Sequence, residues 1–284
     1  MKDIFFLHGL PRAGNTVFGS IMNQNKDVAV TANSICCDII GEIYSLQKTD
    51  IFKNFPDYNS LQNVTKNILN NYYKDWGKKY IIDRAPWGCP ANLKFLKLIK
   101  QDIKIIILVR DVIEVLGSFL AWSEKEPSSF VNQYEAKTRE EKCHMLMNKD
   151  GQLIKELIGI KHLLDYQPKE MYHIIDFNNL VKNTDQTING VYNFLGIPKH
   201  KHDFNNIKQF KTNNMSYDDT IVGKGLHTLK EGAISNYKED YNAYEIVPKS
   251  IIDIYKECNF WIKWKKNYYS YFQHLCWSYH TNNL

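Results

Sequence analysis

The sequence predicts an α/β fold: a doubly wound, mainly parallel sheet with helices on both faces. Three observations lead there. Short apolar runs alternate along the chain with segments of helical spacing, which is the order of a sheet built from crossover units. The run Ile105–Val109 is continuously apolar, as a central parallel strand covered on both faces must be. Residues 4–16 read as an apolar strand, a turn containing Gly9, Pro11 and Gly14, and then a helix opening at Thr16. A strand, a glycine loop and a helix N-terminus together present backbone N–H groups and a positive helix end to an anion. The fold is therefore expected to carry a P-loop-like, phosphate-binding loop.

The elements follow in order. The first helix is expected to place Val17, Phe18, Ile21 and Met22 on one face and to end near Asn25. Val28–Thr31 is a short second strand. Residues 35–46 have helical spacing, 50–60 form a loop with Pro56, and 61–73 form another helix. Tyr80–Asp83 is a third strand that must end before Pro86. Residues 91–100 are helical, Lys104–Val109 is the strongest strand, and 112–122 are helical. A loop at 124–133 precedes a mostly helical stretch, 135–164. Met171–Asp176 is a strand. Thr184–Leu195 is a helix stopped by Gly196 and Pro198. Residues 200–245 are loop-rich, and 249–260 are helical.

Composition bounds the function. The 284 residues, 44% hydrophobic, suffice for one domain spanning 1–284, with the aromatic and basic segment 261–284 packed onto it. A net charge of +5 suits an anionic ligand without demanding nucleic acid, and no nucleic-acid partner is expected. Six cysteines include no C-x-x-C pair, so they are expected to be reduced thiols in a cytoplasmic protein. The chain enters a strand directly, without a signal-like segment. No apolar run approaches the ~20 residues of a membrane helix.

Two anchors carry the chemistry. The first is Gly9, four residues, Gly14, Asn15 and Thr16. This has the spacing of a P-loop, but Asn15 stands where an NTPase has its phosphate-binding lysine. The loop's cation is instead Arg12. The second anchor is Arg110, at the end of the strongest strand, with Ser118 eight residues on. A guanidinium and a hydroxyl at that position suit a phosphate. The alternative is that Asp111 balances the helix dipole, with Arg110 as its ion-pair partner.

Together these motifs resemble the sulfotransferases that use 3′-phosphoadenosine 5′-phosphosulfate (PAPS). Pro11-Arg12-Ala13-Gly14-Asn15-Thr16 resembles the family's 5′-phosphosulfate loop. Leu108, Arg110, Asp111 and Ser118 resemble its 3′-phosphate motif, with Val112 replacing a proline. Residues 174–181 and 192–196 resemble a third segment, with Phe177 in a tyrosine's place, and 225–232, including Lys230, resemble the late loop over the cofactor. The likeness covers roughly residues 4–260 and implies transfer of a sulfuryl group to a small-molecule, glycan or peptide hydroxyl. It also implies PAPS as donor, with 3′-phosphoadenosine 5′-phosphate (PAP) as product, and no metal.

Sulfuryl transfer needs positioning and positive charge at the leaving phosphate oxygen. Arg12 is the first candidate. Arg84 is the second; it occupies the place of the family's catalytic lysine and supplies charge rather than a proton. The tyrosylprotein branch has a glutamate as base where this chain has Asn33. The nearest carboxylate is Asp38, expected as the base, with Glu42 one turn on and Asp83 across the crevice. Two alternatives stand beside this: a P-loop nucleotide or small-molecule kinase, with Asp111 as the nearest imitation of a Mg²⁺ ligand, and a catalytically inactive nucleotide-binding homologue. The acceptor is left to the loops 46–60, 124–150 and 200–245.

Overall fold

The computed structural model describes residues 2–133, 135–237 and 242–262. The chain runs β1 (Asp3–Gly9), α1 (Asn15–Met22), β2 (Val28–Val30), α2 (Cys36–Leu46), α3 (Asp50–Asn54), α4 (Tyr58–Tyr72), β3 (Tyr80–Arg84), α5 (Pro90–Ile99) and β4 (Ile105–Val109). It continues with α6 (Val112–Lys125), α7 (Phe130–Gln133), α8 (Arg139–Met147), α9 (Gln152–Tyr166), β5 (Tyr172–Asp176), α10 (Phe177–Lys182), α11 (Thr184–Leu195), α12 (Ala243–Ile246) and α13 (Lys249–Tyr255). Every expected strand forms. They make one five-stranded sheet in the order β2-β3-β1-β4-β5, and every pairing is parallel.

Register explains why the two anchors meet. Leu7 pairs with Arg84 and Gly9 with Leu108, so β1, β3 and β4 end on one edge of the sheet. From β1 the chain crosses toward β2 on one side, and from β4 it crosses toward β5 on the other. The connections diverge between β1 and β4 and leave a crevice at the strands' C-terminal ends, the usual ligand position in such sheets. All five residues of β4 are buried, as its unbroken apolar run requires.

Several helices differ from the expected pattern. Residues 50–54 form α3 because Thr49 Oγ1 accepts the Phe52 N–H at 3.3 Å, a cap that outweighs the nearby Pro56. The mostly helical stretch 135–164 forms as two helices, α8 and α9. They part where Gly151 lies against the preceding turn: a Cβ there would sit 2.3 Å from the Leu146 carbonyl oxygen. The expected loop after α6 contains α7, and Asp176 caps the six-residue α10 by accepting from Asn178 and Asn179. The segment 261–284 lies outside the described residues except for Trp261 and Ile262; Trp261 packs edge-on against Phe260. No helix among the described residues is long and apolar enough to cross a membrane.

Candidate active site

The crevice is a cavity of about 450 Å³, and its walls bring both anchors together. Pro11, Arg12, Gly14, Asn15 and Thr16 come from the loop after β1, Arg84 from β3, Arg110 and Ser118 from the β4–α6 junction, and Lys230 from the late loop. Lys155 adds a fifth cation from α9, against one carboxylate, Glu156.

The loop is shaped for an anion. Gly14 caps α1 at φ 84° with no side-chain hydrogen bond to the helix, so the first N–H groups of α1 open toward the crevice. A Cβ at Gly14 would also meet the Phe177 ring at 2.7 Å. Arg12 has φ 61°, a left-handed conformation that costs a non-glycine residue about 1–2 kcal/mol. Neighbours hold it there. Arg110 Nη1 donates to the Arg12 carbonyl at 3.1 Å, Arg12 Nε donates to Ser118 Oγ at 3.1 Å, and Arg12 Nη1 donates to the Leu226 carbonyl. The Asn15 side chain turns back to donate to the Leu10 carbonyl at 2.7 Å, so it braces the loop rather than replacing a phosphate-binding lysine. Ala13 is a correction: it is fully buried beneath the loop, its N–H closes a turn on the Leu10 carbonyl, and it forms no part of the cavity wall.

Arg110 is nearly buried, with Nε 3.0 Å from Glu114 and its guanidinium 4.6 Å from the centre of the Phe177 ring. Among the described residues it therefore pairs with Glu114 and not with Asp111. Asp111 caps α6 by accepting from the N–H groups of Ile113 and Glu114, and its second oxygen accepts from Asn259. A carboxylate so occupied is no imitation of a Mg²⁺ ligand. Arg84 is aimed by two contacts of its Nη1, each 2.8 Å: the Ala32 carbonyl and the Tyr217 hydroxyl.

The expected bases lie elsewhere. Asp38 is exposed in the first turn of α2 and is not among the cavity walls, so the helix turns it away from the crevice. Glu42 is exposed and accepts from Ser45. Asp83 is fully buried and accepts from Ser34 at 2.9 Å, Trp87 at 2.8 Å and the Tyr73 hydroxyl. Burial pushes its carboxyl up, against the pull of Tyr73 and those other donors. It ties β3 to α4 and to the turn before α2. Replacing Asp83 with alanine orphans three buried donors at about 1–3 kcal/mol each. The variant is expected to melt roughly 6–36 °C lower, since about 3–9 kcal/mol is lost at 2–4 °C per kcal/mol, and scanning calorimetry checks this.

Two groups that the sequence left without a role face the cavity instead. His227 Nδ1 lies 2.7 Å from Asp219 Oδ1, and Asp219 Oδ2 accepts the His227 backbone N–H at 2.8 Å. The ring stacks on Tyr217 at 4.1 Å and 3°. Burial holds its pKa below the ordinary histidine value; Asp219 raises it, and Arg84 and Arg12 lower it. His227 therefore presents a neutral imidazole at pH 7 with Nε2 as its open nitrogen. Glu156 enters from α9 against the buried His8. Neither pairing had a signal in the chain: His227 lies in the segment resembling the late loop, but nothing marks Asp219 as its partner, and Glu156 lies 148 residues from His8.

Comparison with known proteins agrees with this architecture. A family model described as a sulfotransferase domain matches residues 2–240. Among solved structures, the sulfotransferase domain from the curacin biosynthetic pathway superposes with a TM-score of 0.54 at 17% identity, covering 98% of each chain. Mouse sulfotransferase SULT7A1 complexed with PAP gives 0.46 at 14% identity, covering 70% of this chain and 59% of that one. A sulfotransferase from Alicyclobacillus acidocaldarius gives 0.49 at 13% identity, covering 72% and 85%. A search of curated protein sequences finds no match. With a sulfotransferase-domain model matching 2–240 and this crevice at its centre, the chain belongs to the sulfotransferase family.

Proposed function

We propose that this enzyme moves a sulfuryl group from PAPS to an acceptor hydroxyl. The observation that carries this reading is the convergence of Arg12, Arg110 and Ser118 beside the uncapped start of α1. The cavity fits such a donor: its volume suits a nucleotide-sized ligand, and five cationic side chains face it. PAPS supplies the sulfuryl group, with PAP as leaving group.

Thr16 and the backbone of residues 14–16 would hold the 5′-phosphosulfate, with Arg12 supplying charge at the leaving oxygen. Arg110, Ser118 and Lys230 would hold the 3′-phosphate. Arg84, fixed by Ala32 and Tyr217, stabilises the transferring group by charge alone, since arginine stays protonated. His227 takes the acceptor's proton at Nε2 while Asp219 holds the opposite nitrogen. As the acceptor oxygen bonds to sulfur, the sulfur–phosphate oxygen bond breaks.

Arg110→Ala is expected to weaken PAP binding by roughly 1.5–3 kcal/mol, the scale of hydrogen bonds to a charged group, and Ser118→Ala by less. Calorimetric titration measures both. Unchanged PAP affinity in a destabilised Arg110→Ala protein would make Arg110 a scaffold residue only.

A further inference from the structure

Glu156 is a carboxyl in a cavity otherwise built for anions, and its surroundings explain how it is tolerated there. The first two turns of α9 place Gln152, Lys155 and Glu156 on the cavity wall, at the spacing of one helix face. The helix lies directly on β1: a Cβ at Gly159 would meet the His8 ring at 2.7 Å. His8 is fully buried. Its Nε2 lies 3.0 Å from the Glu156 carbonyl oxygen, so Nε2 carries a hydrogen. The Gly88 N–H donates to Nδ1 at 3.4 Å, and Glu156 Oε2 lies 3.2 Å from the same nitrogen. With the ring hydrogen on Nε2, Nδ1 is an acceptor, and a neutral Glu156 carboxyl donates to it. In that form Glu156 presents no negative charge toward an incoming sulfate.

The surrounding groups agree. Burial pushes the Glu156 carboxyl up, while His8 and then Arg84 draw it down. Lys155 stands beside it on α9. The Cys89 thiol, at the start of α5, is pushed up to about 12 and stays neutral. One Glu156 oxygen is thus committed to His8. The other makes no hydrogen bond among the described residues that would keep it from a ligand in the cavity.

The two sides of the cavity differ in chemistry. Beside Ser118 and its Arg12 partner, Phe119 and Phe130 supply apolar surface, packed edge to face at 5.9 Å. Around Arg84 and α9 the walls are polar: Asn33, Gln152, Lys155, Glu156 and His227. A flat apolar acceptor on that side would leave several donors and acceptors unpaired, and an acceptor with several hydroxyls would satisfy them.

Given the sulfotransferase reading of this site, we infer that the acceptor is a polyhydroxylated molecule and that Glu156, fixed by His8, holds a hydroxyl neighbouring the one that receives sulfate. His227 takes the proton, and Glu156 sets which hydroxyl is presented.

The test is labelled-sulfate transfer from PAPS to a panel of glucose, galactose, N-acetylglucosamine and trehalose, set against 2-naphthol and tyramine, with PAP affinity measured in parallel. Sugars are expected to be turned over in preference to the phenols. Glu156→Ala is expected to raise the sugar KM by about 10–100-fold with little change in kcat and none in PAP affinity. The isosteric Glu156→Gln keeps an oxygen toward the acceptor and a bond toward His8. It is expected to fold normally and recover most of the loss, and it serves as the comparison if the alanine variant unfolds. Phenols used as well as sugars would overturn the acceptor assignment while leaving the donor site intact. So would a sugar KM indifferent to both variants, or a loss confined to kcat. A protein that binds no PAP and sulfates nothing would overturn the underlying reading as well.

Discussion

His227→Ala is expected to lower turnover by roughly 10²–10⁴-fold, the range of a positioned general base, with PAP affinity almost unchanged. Three observations support so large an effect: the imidazole lines the cavity, Asp219 fixes Nδ1 at 2.7 Å, and the ring is locked flat on Tyr217. The pH profile adds a second readout. The base must be neutral to accept a proton, and its pKa is depressed, so activity persists as pH falls through the ordinary histidine value of 6.5. It is lost only below the lowered pKa. Asp219→Asn removes the one influence that raises the pKa, so the acidic limb of kcat/KM is expected to move to still lower pH. An acidic limb at or above 6.5, or one that survives His227→Ala, would remove His227 from the role. Asp38→Asn, a change at an exposed position, is expected to stay within about twofold of the parent.

Arg84→Ala is expected to cost roughly 10²–10³-fold in kcat, the scale of losing one preorganised charge or donor at the transition state. The guanidinium is held by the Ala32 carbonyl and the Tyr217 hydroxyl, so its position is set before substrate binds. Arg84→Lys is expected to fall between. An ammonium restores the charge but not the guanidinium, whose Nη1 bonds Ala32 and Tyr217 while its other nitrogens stay available to the transferring group. Steady-state kinetics separate the cases. Equal activity in Arg84→Ala and Arg84→Lys would mean that the charge itself does nothing.

How much of this could be read along the chain depends on distance in sequence. The sheet was legible because each strand announces itself locally, as Ile105–Val109 does. The strand–loop–helix shape of residues 11–16 was legible because glycine turn, arginine and helix start lie within six residues. The eight-residue step from Arg110 to Ser118 is two helical turns, so the second anchor was legible too. The base was not. Asp38 and Asp83 are the same residue type near the same crevice, and only burial and helix rotation reveal that one is exposed outside the site and the other is wrapped by Ser34, Tyr73 and Trp87. His227 gains its partner through a loop with no regular period, and Glu156 gains His8 only when α9 folds over β1. The mostly helical character of 135–164 was legible, but not its break: Gly151 marks a backbone contact that composition does not encode.

The most direct measurement is calorimetric titration of the enzyme with PAP and with ATP, each with and without Mg²⁺. A loop with Arg12 in place of a phosphate-binding lysine, and Asp111 spent on capping α6, is expected to bind PAP without Mg²⁺ and more tightly than ATP. Tighter, Mg²⁺-dependent binding of ATP would contradict the sulfuryl-donor site and restore a kinase.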